Sequence, residues 1–298
     1  LLTEVKVRIL AADSMGVRSM ATVVEAGGVK IAVDPGVSYA PRRYGLPPHP
    51  RELERLEEKK ELIYRELMDT DIIAITHYHY DHYLYHEDEA EYYKNKILLI
   101  KDPRRNINVS QRIRAHRLLK KINIENIAKD IRILDNNIYE VDKGLVIRGS
   151  PPVPHGPDGS KLGYIAMVLI ECCGERIVHA SDVQGPISRK ALEIIAEWRP
   201  TILIISGPPT YFAGLKVEEE QVRQGLNNLS LLAETVDVLV ADHHFARDLK
   251  YPSYLDQLRR INTRVLSAAE FMGLPLELLE AQRKLLWEKD PPDNNRAS

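Results

Sequence analysis

The chain has 298 residues, 44% hydrophobic and 28% charged, a soluble globular balance that excludes a disordered polymer. Its length supports a large core that needs no disulfides, and 41 basic against 43 acidic side chains (formal charge −2) exclude whole-surface attraction to nucleic acid, though not a local basic patch. The longest mainly apolar stretch, residues 163–173, is too short to span a bilayer, and no basic-then-apolar signal pattern opens the chain. Cys172 and Cys173 are adjacent and lack zinc-finger spacing. A cytoplasmic, reducing setting with no membrane partner is expected.

Residues 5–10 alternate polar and apolar, as do 21–24, and Gly27 and Gly28 then turn the chain into the β-branched run 29–33, which stops at Asp34, Pro35 and Gly36. The Pro-rich stretch 41–50 reads as a loop. Over 51–67, Leu53, Leu56, Ile63 and Leu67 share one face of a charged helix. Residues 71–76 read as a buried strand with a histidine cluster at its carboxyl end. The segment 83–131 reads as helix, a short strand at 97–100, and helix. A hairpin is expected over 164–173 and 176–180, then a strand at 202–206, a helix at 217–234, and a strand at 236–241 delivering Asp242, His243 and His244. Pro252 opens another helix, 265–269 reads as a short strand, Pro275 opens a last helix to about residue 289, and 290–298 read as a frayed tail. Hairpins followed by strand–helix alternation predict layered α/β sheets in one domain over 1–289.

His77, Tyr78, His79, Tyr80, Asp81 and His82 follow one another directly after a predicted strand. Alternate residues of an extended turn project the same way, so His77 and His79 can share one ion. Asp81 and His82, where the chain bends into a helix, can face a second. Neutral imidazoles and a carboxylate suit zinc or another first-row divalent metal.

This run resembles the hallmark of the metallo-β-lactamase superfamily, His-x-His-x-Asp-His after a strand, and the resemblance covers nearly the whole chain. The family has an aspartate ending an early strand, where Asp34 stands, and an isolated third histidine, where His155 lies between Pro154 and Gly156. It has a bridging aspartate after a hairpin, where Asp182 follows Ser181, and a final histidine after a late strand, for which His243 and His244 both qualify. Segments 13–20 and 181–185 look like an archaeal branch of predicted metal-dependent hydrolases. The resemblance implies an α/β fold, a four-layer αββα sandwich, with a dinuclear site at one edge of its sheets. It implies His77, His79 and His155 on one metal, Asp81, His82 and a late histidine on the other, and Asp182 bridging. Register favours His243 as that ligand, with His244 then meeting substrate or standing behind the ligands. Asp34 would accept the second N–H of a ligand imidazole, and His179 is a core residue or one behind the ligands. The implied cofactors are two divalent metal ions, most suitably Zn2+, with Mn2+ or Fe2+ as alternatives. They would share a hydroxide that attacks a carbonyl or phosphoryl centre, and Asp81, Asp182 and His244 are the catalytic candidates. The flavin-linked diiron branch places Glu where this chain has His79, so its chemistry is not implied. Taken singly, Asp34 could be a turn residue, His155 a solvated loop histidine and Asp182 a helix cap.

Eight basic residues fall in 101–121 (Lys101, Arg104, Arg105, Arg112, Arg114, Arg117, Lys120 and Lys121) against one acid, Asp102. The segment reads either as a lid gripping an anionic substrate or as a solvated helix face. Lys101, Asn108 and Arg247 are the substrate-binding candidates, with Arg18, Arg42 and Arg43 weaker ones. The expected substrate is a phosphodiester, nucleic acid included, or a small ester, lactone or thioester. About 60 residues between Asp182 and His243 leave no room for the extra domain of the superfamily's RNA-cleaving members. A metal-binding sensor without turnover is the competing class. Tyr78, Tyr80, Tyr83 and Tyr85 read mainly as packing residues.

Overall fold

Period-two alternation builds the first sheet of the computed structural model, which describes residues 4–142 and 144–291. Strands β1 (Lys6–Ile9), β2 (Thr22–Ala26) and β3 (Val29–Val33) form an antiparallel meander. Gly27 and Gly28 turn it with φ of 61° and 82°, which suits glycine. Strands β4 (Ile72–Ile75), β5 (Ile97–Ile100) and β6 (Asp130–Ile133) add in parallel, giving a six-stranded sheet in the order β1 to β6. Helix α1 (Pro50–Met68) connects β3 to β4, and α2 (Val109–His116) lies between β5 and β6. Pro50 opens α1, and Glu52 returns to cap the His49 N–H.

The second sheet repeats this plan. It draws on β7 (Ile138–Asp142), β8 (Leu145–Gly149), β11 (Val168–Cys172), β12 (Glu175–Ser181), β13 (Ile202–Ser206), β14 (Val238–Asp242) and β15 (Val265–Leu266), in the order β15-β14-β13-β12-β11-β8-β7. Pairing is antiparallel from β7 to β12 and parallel from β12 to β15. The short β9 (Val153–Pro154) and β10 (Tyr164–Ile165) pair separately. Helices α3 (Arg189–Trp198), α4 (Glu219–Ala233) and α5 (Tyr251–Arg259) cover this sheet, and α6 (Arg283–Lys289) closes the described chain.

Alternating burial produces the four layers. In β4, Ile73 and Ile75 pack with Ile63 and Leu67 of α1, whereas Ile72 and Ala74 face between the sheets towards Val168 and Ile177. In β13, Leu203 and Ile205 meet Ile195 of α3 and Leu229 of α4, while Ile204 turns inward to Ile9 and Met20. The architecture is αββα.

Three sequence expectations need revision. Strands cover much of 130–149, where none was anticipated, because β7 is an edge strand whose exposed Ile138, Glu140 and Asp142 give it little apolar signature. The expected strand at 265–269 stops at Leu266, where Ser267 caps a helical turn. The last helix starts at Arg283 and not at Pro275, because residues 275–282 are pinned to other elements. Glu277 N–H bonds Ser14, its carboxylate pairs with Arg55, and Glu280 pairs with Arg18. Of the expected tail, 292–298 lie outside the described residues. Cys172 is buried and Cys173 exposed.

The α6–α1 junction encloses a buried ion pair. Arg283 is fully buried, and its Nε and Nη2 each lie 2.7 Å from an oxygen of buried Glu52. Arg283→Ala leaves that carboxylate buried without its cation, so we expect a loss of about 3–5 kcal/mol in chemical denaturation. The Arg283→Met/Glu52→Leu double variant should regain most of it, since neither charge then needs a partner.

Candidate metal centre

The site forms where strands end. His77 to His82 follow β4, Asp34 follows β3, His155 follows β9, Asp182 follows β12 and His243 follows β14. In open α/β sheets the carboxyl ends of parallel strands are where backbone fans out and side chains converge. The turns there are tight. Asp34, Ser181, Gln184 and His243 all have positive φ (49°, 52°, 57° and 59°), a strained conformation for residues with a Cβ, gathered here around one locus. Gly36 lets the loop after Asp34 pass the histidine run, since a Cβ there would sit 2.1 Å from Tyr83 N.

Asp182 is at the centre. Its Oδ2 lies 2.8 Å from His155 Nε2, 3.4 Å from His82 Nε2 and 3.6 Å from His77 Nε2, and its Oδ1 lies 3.1 Å from His243 Nε2. His79 joins the same group, its ring 4.6 Å from His77 and 4.8 Å from His155. Asp81, His82 and His243 form an adjoining group, with Asp81 Oδ2 3.6 Å from His243 Nε2. The structure thus gathers the other six residues expected as ligands around or beside Asp182.

The Nε2 atoms of His77, His82 and His155 and Oδ1 of Asp182 are buried with no hydrogen-bond partner. Each such orphan costs about 1–3 kcal/mol unless something else satisfies it. Four converging orphans of this chemistry fit a divalent metal, whose preferred donors are bare imidazole nitrogens and carboxylate oxygens.

Hydrogen bonds behind the imidazoles set which nitrogen is bare. His82 Nδ1 lies 2.8 Å from Asp34 Oδ2, so its proton sits there. Asp34 also accepts the Thr76 N–H and hydroxyl, at 2.8 and 2.6 Å. The Thr76 oxygen, its proton committed, accepts from His77 Nδ1 at 3.0 Å. His243 Nδ1 lies 2.7 Å from Asp13 Oδ2. His77, His82 and His243 therefore all anchor Nδ1 outward and turn Nε2 inward, the nitrogen a metal would take. His244 is the reverse case. Its Nδ1 lies 3.2 Å from Arg247 Nη1, and because guanidinium only donates, the His244 proton must be on Nε2. That tautomer suits His244 to donation and leaves His243 as the expected ligand, although Asp182, His243 and His244 also converge. Metal analysis should show less bound metal in His243→Gln than in the parent and an unchanged content in His244→Gln.

Electrostatics agree with a cation here. Burial and neighbouring imidazoles hold His77 and His79 well below the ordinary histidine range, in the neutral ligand form. Burial pushes His82 down too, but Asp182, Asp34 and Asp81 outweigh it and hold it well above that range. Against burial, Asp182 and Asp13 lift His243 to about 9. Burial would raise the Asp182 carboxyl, yet His243, His82 and His155 keep it ionised. The carboxylates at this end draw in positive charge, which a divalent ion supplies directly.

Above this floor opens a cleft of about 530 Å³, walled by Arg18, Arg114 and Arg247, with Tyr39, Tyr80 and Tyr85 at one side. His79, Asp81, His155, Asp182 and His244 all line it. Two of the expected substrate residues do not. Lys101 is fully buried, and its Nζ is taken up by Asp135 Oδ2 at 2.6 Å and the Arg105 carbonyl at 3.0 Å, so its charge is not offered to the cleft. Asn108 caps α2 through Gln111 N–H and donates to the Lys161 carbonyl. From the basic segment it is Arg114 that reaches the cleft. His179 Nε2 bonds the Met20 carbonyl at 2.9 Å, tying β12 to the entry of β2. Tyr78 and Tyr83 are buried in the helix-side core. Sequence reading missed Asp13 as the partner of His243; its signal was an acid directly after the apolar Leu10, Ala11 and Ala12, as Asp34 follows β3.

Among the described residues no helix is long and apolar enough to cross a membrane. A family model described as the metallo-beta-lactamase superfamily matches residues 15–165. A UPF0282 protein of Aeropyrum pernix is 49% identical over 95% of this chain and 98% of its own. Among solved structures, unliganded yeast PDE1 is similar at a TM-score of 0.54 and 13% identity, over 89% of this chain and 98% of that one. A diphosphatase of the PhnP family is similar at 0.51 and 14%, over 90% and 95%. The site geometry, the fold and these likenesses converge: the chain belongs to the metallo-beta-lactamase superfamily, generally metal-dependent hydrolases, and within it to the archaeal UPF0282 proteins.

Proposed function

We propose that this protein is a metal-dependent hydrolase that cleaves an anionic ester, a phosphodiester foremost, with two divalent ions, zinc being the best match to its donors. The observation that carries this reading is the convergence of orphaned imidazole and carboxylate atoms at the floor of an arginine-walled cleft. His77, His79 and His155 would hold one ion, Asp81, His82 and His243 the other, and Asp182 both. Bound divalent ions supply an activated water near neutral pH and charge stabilisation for the reacting centre.

The protein's own residues bind and orient. Arg114 and Arg247 offer charge to the substrate's non-bridging oxygens. Arg18, held by Glu280 through two contacts of 2.6 and 2.8 Å, adds a firm wall. Burial and the Arg247 cation lower His244 to about 3, so it stays neutral. With its proton on Nε2, it donates a hydrogen bond to a phosphoryl oxygen and is not a proton carrier. The diphosphatase activity of the PhnP-family neighbour supports phosphoryl chemistry. Polynucleotides fall within the proposed class through exposed Arg104, Arg105, Arg112 and Arg117 beside the cleft-lining Arg114.

Protein reconstituted with zinc or manganese should carry about two ions per chain and hydrolyse bis(p-nitrophenyl) phosphate. The His77→Ala/His79→Ala variant should lose both properties. Turnover of a thioester or lactone alone would redirect the reading to small-molecule ester hydrolysis. Bound metal without any turnover would favour a sensor, and absence of binding would sink the centre itself.

A further inference from the structure

Beside the cleft lies a second pocket of about 250 Å³ that the function above does not use. Ser38, Tyr39 and Tyr85 line both spaces, so the two adjoin across this shared wall. The wall is aromatic and leads back to the cationic cleft. The Arg114 guanidinium lies over the Tyr80 ring at 4.5 Å, Tyr80 lies 4.3 Å from Tyr85, and Tyr85 lies 4.2 Å from His86. On the far side, α1 presents Glu57 and Lys60, and Glu89 stands 3.8 Å from the Lys60 ammonium. Tyr83 forms part of the lining at 1% exposure, and its buried hydroxyl has no hydrogen-bond partner.

We propose that this pocket receives a flat heteroaromatic ring of the substrate, so that the centre acts on nucleoside-type phosphodiesters in preference to alkyl ones. The proposal rests on the hydrolase reading and narrows it. Aromatic side chains offer faces on which a ring can stack. Donors and acceptors in the same small space, Lys60 against Glu57 and Glu89, match a ring that carries both. An acyl chain fits poorly, since it would bury those charges against hydrocarbon. The arginine wall would meanwhile hold the phosphodiester over Asp182.

The test compares two esters with the same scissile bond, thymidine 5′-(p-nitrophenyl phosphate) and methyl p-nitrophenyl phosphate, on the metal-loaded full chain. A kcat/KM for the thymidine ester about tenfold or more above that of the methyl ester, residing mainly in KM, is the expected result. Leu56→Trp fills the pocket from α1 and should bring the ratio towards one, while circular dichroism confirms folding. Equal turnover of the two esters by the parent protein overturns the pocket assignment and leaves the hydrolase reading standing. If neither ester turns over, the phosphodiester reading has failed, and calorimetry then decides the pocket alone. Thymidine 5′-monophosphate binding more tightly than methyl phosphate, with the difference lost in Leu56→Trp, supports it; equal affinities overturn it.

Discussion

Asp182→Asn should cut phosphodiester turnover on the order of a thousandfold and leave the protein with less bound metal. The substitution keeps the side chain's shape and one carbonyl oxygen, so the loss reports charge and donor chemistry, not packing. Asp182 is the one carboxylate within 3.6 Å of His77, His82, His155, His243 and His244 together. Its amide would turn an N–H towards imidazole nitrogens or a metal, where only lone pairs are useful. The effect should fall on kcat, because Arg114 and Arg247, the proposed substrate contacts, are untouched. Retained metal with turnover within tenfold of the parent would mean that Asp182 does not join the two groups of ligands.

The parts of this centre that were legible in the sequence are local ones. His77 to His82 declare themselves because four donors fall within six residues at a strand end, and strand ends are readable from β-branched runs and turn residues. Asp34, Asp182 and His243 are visible for the same reason, each closing such a run. Long-range pairing is what stays hidden. Asp13 and His243 are 230 residues apart, and nothing in either segment names the other. Lys101 shows the opposite failure: its charge is plain in a basic stretch, but Asp135, 34 residues on, draws it into the interior. The choice between His243 and His244 is likewise not a matter of register. What bears on it is the group behind each Nδ1, the Asp13 carboxylate at 2.7 Å for His243 and the Arg247 guanidinium at 3.2 Å for His244. Edge strands such as β7 escape because half their residues face water.

Asp13→Asn should weaken one of the two proposed metal sites selectively, by about 10- to 100-fold, with the other unchanged. Asp13 accepts from His243 Nδ1 at 2.7 Å through one oxygen and from Arg247 Nε at 2.6 Å through the other. Burial alone would raise its carboxyl, but Arg247 and His243 hold it ionised well below the usual range. An asparagine has one acceptor, so it can serve His243 or Arg247, not both. If it serves Arg247, the His243 proton is free to move to Nε2, which removes the lone pair from the second ligand group. If it serves His243, the buried Arg247 cation loses a partner, and stability falls by about 3–5 kcal/mol. Calorimetric titration of the metal-free variant with zinc separates these branches from a merely local packing defect. A packing defect would lower both affinities together, whereas loss of the His243 lone pair spares the His77, His79 and His155 group, in which Thr76 holds His77 and Gln184 faces His155. Equal weakening of both sites, or of neither with stability unchanged, would sink the assignment of Asp13 as the group that aims His243.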